Sequence, residues 1–260
     1  MSLLYKEAFA YGLDAFADAS ITKRKIVLPN GERSEYYVSC TGTAFIRRDE
    51  DYRGNMIPTV LDEKYIVYHD YTNNMGELQA ILNAVRYGHY LLKFNNATHL
   101  NIISDSKISI FGLRDWIFNW INNTHNGIMY GSSGPVLNQR LILQIVYEII
   151  QNGDFIRFYH IRGHQKSKPN ILIESFSKEN GFEVTDIDPR LPGYLIQCND
   201  RVDILSRDML KEDIMKSTEP VYLRESLLIK KQGYIRPILD TTDFIQSLDI
   251  EKYKYLIGKR

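Results

Sequence analysis

Leu100-Asn101-Ile102-Ile103-Ser104-Asp105-Ser106-Lys107 joins a short apolar run to an acid. Beyond it Leu113, Trp116, Ile117 and Trp120 fall at helical spacing. The pattern predicts a strand from Leu100 to Ser104 that delivers Asp105 at its carboxyl end and leads into a helix.

Working upstream, Leu78, Ile81, Leu82 and Val85 also fall at helical spacing, which predicts an amphipathic helix with Glu77 in its first turn. Tyr65-Ile66-Val67-Tyr68-His69 before it reads as a strand, as does Glu35-Tyr36-Tyr37-Val38-Ser39-Cys40. A polar turn, Leu28 to Glu32, separates the latter from an aromatic and small-residue stretch, Ala8 to about Ala19, read as a first strand ending at Asp18. Downstream, a loop is expected around Gly131-Ser132-Ser133-Gly134-Pro135. Leu141, Ile142, Ile145, Val146 and Ile149 then form the apolar stripe of a helix. Phe155 to Ile161 reads as a fifth strand leading into Gly163-His164, and a final helix is expected to begin near Asp200. The resulting order is βββαβααβα: an α/β fold with a five-stranded mixed sheet flanked by helices.

At 260 residues with 44% hydrophobic content, the chain can build a sizeable core. No apolar run is long enough to cross a bilayer, and the opening residues lack a signal-peptide layout, so a soluble, cytoplasmic protein with no membrane partner is expected. Cys40 and Cys198 lack nearby Cys or His partners at metal-ligand spacing and read as buried reduced thiols. The formal net charge is zero, which excludes a protein that holds nucleic acid by bulk charge. Phosphate contacts must come from local patches: Lys23-Arg24-Lys25, Arg47-Arg48, Lys166 with Lys168, or Lys230-Lys231. Each of these also reads as an ordinary solvated face.

Four acids stand in four separate segments: Asp18 in Phe16-Ala17-Asp18-Ala19-Ser20, Glu77 in Thr72-Asn73-Asn74-Met75-Gly76-Glu77, Asp105, and Asp203 in Asn199-Asp200-Arg201-Val202-Asp203. Gly163-His164 lies between the last two. Taken singly each has a plainer reading. Asp105 could cap the next helix, Glu77 and Asp203 could be early-turn acids favoured by a helix dipole, and Asp18 could be a turn residue. His164 alone could be a structural loop histidine.

Together and in this order, the segments closely resemble the ribonuclease H family, whose signatures are Asp-Gly-Ser, Thr-Asn-Asn-x-x-Glu, (Thr/Ser)-Asp-Ser, Gly-His and Asn-Glu-x-x-Asp. The resemblance spans roughly Ala8 to Asp208. It implies an endonuclease that hydrolyses the RNA strand of RNA/DNA hybrids and leaves 5′-phosphate and 3′-hydroxyl ends. Asp18, Glu77, Asp105 and Asp203 would hold two Mg2+ ions, with Mn2+ able to substitute, because such hard cations take oxygen ligands. His164 would match the family's mobile histidine, which assists proton movement or product release. Thr72, Asn73 and Asn74 would face the hybrid's minor groove, where 2′-hydroxyls mark the RNA strand. Helix capping by the two asparagines is compatible with that role.

Several departures from the family pattern are visible. Asn122 to Val136, where many bacterial relatives carry a basic protrusion, contains no Lys or Arg. Hybrid grip is therefore expected from Lys23, Arg24 and Lys25, with Lys166 and Lys168 second. Ala19 stands for the customary Gly, Asp200 for the usual Glu, and Lys107 for a Gln. The family-like domain is expected over residues 1–216 with an insert at 165–198, followed by an extension, 217–260, that includes a helix from Asp243 to Leu256. Two other functions stay open: a nuclease or strand-transfer enzyme of the same fold acting on DNA or structured RNA, and a non-catalytic nucleic-acid-binding scaffold.

Overall fold

The structure, a computed structural model, describes residues 12–27, 31–69, 71–163, 169–216 and 241–259. Its centre is β1, Leu13–Val27, flanked by β2, Arg33–Glu50, and β3, Met56–His69, on one side. On the other side lie β4, Leu100–Ser104, and a strand at Ile156–His160. The sheet runs β3-β2-β1-β4 and then the Ile156–His160 strand. The first three strands are antiparallel neighbours, and the last two are parallel to β1. This is the expected five-stranded mixed sheet.

Successive residues of a strand point to opposite faces, and the packing follows that period. Ala15, Ala17, Phe45, Ile102 and Phe158 face a cluster built on α1, Asn73–Asn95, and on the helix Gln139–Asn152. Phe16, Ala44, Ile46, Ile103 and Tyr159 face a second cluster with Leu172, Tyr194, Cys198 and Val202. These come from two further helices, Pro169–Asn180 and Leu191–Lys216. Both cysteines are buried and free, as their spacing predicted.

The three antiparallel strands are longer than the sequence suggested. β1 does not stop at Asp18: Ile21–Val27 continues it, paired with Arg33–Ser39 of β2. The reason is tertiary, since Tyr36, Val38 and Cys40 pack against Leu210 and Met209 of the long helix. Lys23-Arg24-Lys25, which a first strand ending at Asp18 would leave on a loop, is therefore strand. Leu28 to Asn30, the core of the expected turn, and Ala8 to Tyr11 lie outside the described residues. The polar Asp62-Glu63-Lys64 masked the upstream half of β3, which lies at the sheet's edge, where charges are tolerated.

The helix after Asp105 comprises Lys107–Phe111, a π-helical turn at Gly112–Trp116, and Ile117–Asn122. The expected loop near Gly131 is instead part of a small antiparallel sheet, Thr124–His125, Ile128–Gly131 and Gly134–Pro135. Gln139 holds it: its side-chain oxygen accepts from the Met129 N–H (2.9 Å) and its amide donates to the Gly127 carbonyl (2.8 Å). The final helix of the core begins at Leu191 and not near Asp200. Pro192 lies in its first turn, where proline is tolerated because its missing N–H would have no helical partner anyway. The expected Asp243–Leu256 helix is two helices, Thr241–Ser247 and Ile250–Leu256, the second capped by Asp249 accepting from the Lys252 N–H at 2.9 Å.

This C-terminal pair contributes Ile245, Leu248, Tyr253, Leu256 and Ile257 to the first cluster. Fully buried Tyr253 donates its hydroxyl to the Leu113 carbonyl at 2.8 Å, and Lys259 pairs with Asp115. Tyr253→Phe leaves that carbonyl without its partner and should cost about 1–2 kcal/mol. Tyr253→Ala also opens a cavity and should cost about 3–5 kcal/mol. Urea unfolding measures both, and an unchanged midpoint for Tyr253→Ala would mean that the helix is not docked in solution.

Candidate active site

The site forms where β4 stops and β1 continues. β4 is paired with β1 only from Leu13↔Leu100 to Phe16↔Ile103, so Asp18 stands just past the end of its parallel neighbour. Asp105 follows β4 directly, and crevices beyond the carboxyl ends of parallel strands are the usual place for ligands in such sheets. Thr72 caps α1, its hydroxyl accepting from the Met75 N–H at 3.4 Å. Glu77 thus begins the second turn of α1 and not the first, which leaves no dipole reason for an acid there. Close approach of that helix to the sheet depends on Gly76, where a Cβ would overlap Ser39 Oγ and crowd Ala19. Gly163 similarly leaves room for the Asp105 carboxylate, which an added Cβ would overlap.

Asp18, Glu77 and Asp105 each offer an oxygen within 4.8 Å of the others. Asp203 lines the same cavity, of about 450 Å3, without joining that trio. It accepts from Arg207 at 3.2 Å, so its charge is partly answered within its own helix. With the long helix starting at Leu191, Asp203 lies about three turns in, and the early-turn explanation for it fails. The residue at the N-cap of the helix after β4 is Ser106, so Asp105 is not that helix's cap.

Electrostatically the acids oppose one another. Burial first, then the charges of Asp105 and Asp203, push the Asp18 carboxyl from its usual 3.8 up to about 7, against the lowering effects of the Ala19 N–H and Arg207. Glu77 is raised well above its usual range by burial, then by Asp18 and Asp105. Its buried Oε2 has no hydrogen-bond partner among the described residues, and neither has Oδ1 of Asn199 on the same cavity wall. Oxygens without donors, crowded by like charge, are the counterpart of a hard divalent cation.

Asn73 and Asn74 also line the cavity, with Ser106, Lys107 and Ile108 opposite. Lys23 and Lys25 do not line it. Both face Glu35 across the β1–β2 ribbon: Lys23 in direct contact, Lys25 at 4.0 Å. His164, Lys166, Lys168, Lys230 and Lys231 lie outside the described residues. Two groups, one on the cavity wall and one behind it, were given no role by the sequence reading. Asn199 stands one helical turn from Asp203, a spacing that puts both on one face. His160 ends the last strand, and its Nε2 lies 3.1 Å from the Asp105 carbonyl.

The raised Asp18 pKa has a sign that can be checked. An acid that titrates at 3.8 when unfolded but near 7 when folded keeps its proton longer in the folded chain. Its contribution therefore favours folding below 3.8 and is lost as the pH rises through about 7. With chelator present, the urea midpoint should fall across that window, and Asp18→Asn should flatten the fall. Parallel pH profiles for the two proteins would refute the buried, crowded carboxyl.

Comparison with known proteins places the chain in a family. The RNase H family model matches residues 35–180, which include Glu77 and Asp105. A ribonuclease H from Prochlorococcus marinus (strain NATL1A) is 31% identical over 119 residues, 44% of this chain and 68% of its own length. One from Ruthia magnifica subsp. Calyptogena magnifica is 27% identical over 111 residues, 43% of this chain and 69% of its own. Among solved structures, the PFV RNase H domain is 18% identical at a TM-score of 0.41, covering 68% of this chain and 94% of that domain. A foamy viral protease-reverse transcriptase in complex with RNA/DNA hybrid is 15% identical at 0.41, and this chain spans only 20% of it. The family match over more than half of the chain, joined to a relative 31% identical over 68% of its length, makes this protein a member of the ribonuclease H family of enzymes.

Proposed function

We propose that the protein hydrolyses the RNA strand of RNA/DNA hybrids at the cavity formed by Asp18, Glu77, Asp105 and Asp203, leaving 5′-phosphate and 3′-hydroxyl ends. The observation that carries this reading is the convergence of the Asp18, Glu77 and Asp105 carboxylates, with a buried Glu77 oxygen that no donor among the described residues satisfies. Two Mg2+ ions, or Mn2+ in their place, would supply an activated water and stabilise the leaving oxygen. Asp18, Glu77 and Asp105 would hold them, with Asp203 at the edge and the Asn199 oxygen beside it. Because Arg207 already pairs with Asp203, that acid would be the least committed of the four.

Substrate choice is assigned to the start of α1. Asn73 and Asn74 present amide groups at the cavity wall, next to the Thr72 cap, where they can donate to and accept from 2′-hydroxyls. His164 would move protons or help product leave. Lys23, Arg24 and Lys25, on the ribbon that overshoots Asp18, would contact the duplex backbone and set part of the salt dependence.

Cleavage of labelled hybrid should require Mg2+ or Mn2+, stop with chelator, and exceed cleavage of double-stranded DNA. Asp105→Asn and Glu77→Gln should each lower kcat by well over tenfold, which corresponds to more than about 1.4 kcal/mol of barrier. Smaller losses, or equal cleavage of double-stranded DNA, would sink the assignment. Replacing Lys23, Arg24 and Lys25 together by Ala should weaken hybrid binding and flatten its log–log salt slope by about one per lost phosphate contact. Superimposable binding curves across salt concentrations would show the run to be only a solvated strand, held by Glu35.

A further inference from the structure

The helix Pro169–Asn180 lies in the insert between the last sheet strand and the long helix, and its end is wired into the backbone that carries Asp105. Glu179 pairs with Nδ1 of His160, and Nε2 of the same ring lies 3.1 Å from the Asp105 carbonyl. A carbonyl oxygen only accepts, so Nε2–H is the donor there, and Glu179 fixes the ring from its other side. Both side chains are almost enclosed, at 6% exposure for His160 and 12% for Glu179, so neither swings freely.

Asn180 completes the grip. Its oxygen accepts from the His160 N–H at 3.0 Å and its amide donates to the His160 carbonyl at 2.8 Å, the two bonds a neighbouring strand would make. Arg114, in the π-helical turn downstream of Asp105, donates to Oδ1 of Asn180 (2.9 Å), to the Glu179 carbonyl (2.8 Å) and to the Phe158 carbonyl (3.2 Å). The segment carrying Asp105 is thus tied to the insert from both sides: through His160 at its own carbonyl, and through Arg114 beyond.

We propose that His160 and Glu179 are positioning residues for the metal site, with the insert helix serving to orient Asp105. This inference rests on the assignment of Asp105 to that site. Neither residue touches the cavity, and both act through the Asp105 main chain. Outer partners that orient a metal ligand typically change metal affinity or activity by about 10–100-fold when removed.

The test compares wild type, Asp105→Asn, His160→Leu, His160→Gln and Glu179→Ala. Mg2+ affinity is measured by calorimetry, kcat and KM on labelled hybrid, and folding by thermal denaturation. His160→Leu should weaken Mg2+ binding and lower kcat by about tenfold each, at the lower end of that range, with KM for hybrid nearly unchanged. His160→Gln, whose amide can reach the position of Nε2, should restore most of both. Glu179→Ala retains the ring and its Nε2 contact but removes the partner at Nδ1, and should shift Mg2+ affinity in the same direction by a smaller factor, which keeps the proposal testable if His160→Leu does not fold. Unchanged Mg2+ affinity in the folded variants, a rise in KM alone, or a loss of kcat that only tracks the unfolded fraction would overturn it. If Asp105→Asn binds Mg2+ as wild type does, the metal-site assignment itself fails. If Asp105→Asn loses Mg2+ while His160→Leu and Glu179→Ala keep it, the positioning role alone is wrong.

Discussion

The carboxylate of Asp14, 1% exposed at the start of β1, is the contact on which the placement of the site depends. It accepts from Arg48 on β2 (3.2 Å), Asn101 on β4 (2.7 Å) and Tyr194 on the long helix (2.8 Å). A buried charge of this kind is weak evidence for net stability, because desolvation offsets much of the attraction. Its effect here is on register. A slip of one residue would turn Asp14 to the other face of the sheet and leave Arg48 and Tyr194 without it. Asp18 shares the face of Asp14, two pleats further along, so the same register sets where the catalytic candidate points. Ser20 on that face meets Ser206 at 2.9 Å, which brackets Asp203 between two fixed contacts of strand and helix.

Against this well-satisfied anchor, the site a few residues away is poorly satisfied. Asp18 and Glu77 are buried among like charges, and Glu77 Oε2 and Asn199 Oδ1 find no donor among the described residues. Interior polar atoms are normally paired, so such a cluster costs stability and persists because the surrounding sheet over-determines it. Gly76 and Gly163 are part of that enforcement: each brings a rigid backbone close enough to hold an acid that would otherwise move away.

The order of elements was legible in the sequence because short-range rules govern it, while the four acids stood out only through the order of their motifs; the structure brings them to one cavity. β4 is a five-residue buried run with its predicted bounds, and the helix over Gln139–Asn152 carries the predicted apolar stripe. What escaped depends on partners distant in the chain. Ile21–Val27 is strand because Leu210 and Met209 back the ribbon it forms. Leu191 opens a helix because Pro192 sits where a missing N–H costs nothing. His160 looked like one more strand residue, since its relation to Asp105 and Glu179 exists only once the helix Pro169–Asn180 packs back on the sheet.

Among the described residues β3 forms one margin of the sheet, 14 residues long, and margins of that length offer unpaired backbone groups to any passing extended chain. Its sequence blunts that hazard. Pro58 removes one donor outright, and Asp62, Glu63 and Lys64 set consecutive charges along the same margin, with Arg201 of the long helix drawn over to Glu63. An incoming strand would have to break the Arg201 pair and bury those charges. The polar residues that hid half of this strand from sequence reading are thus what make so long a margin safe to leave open.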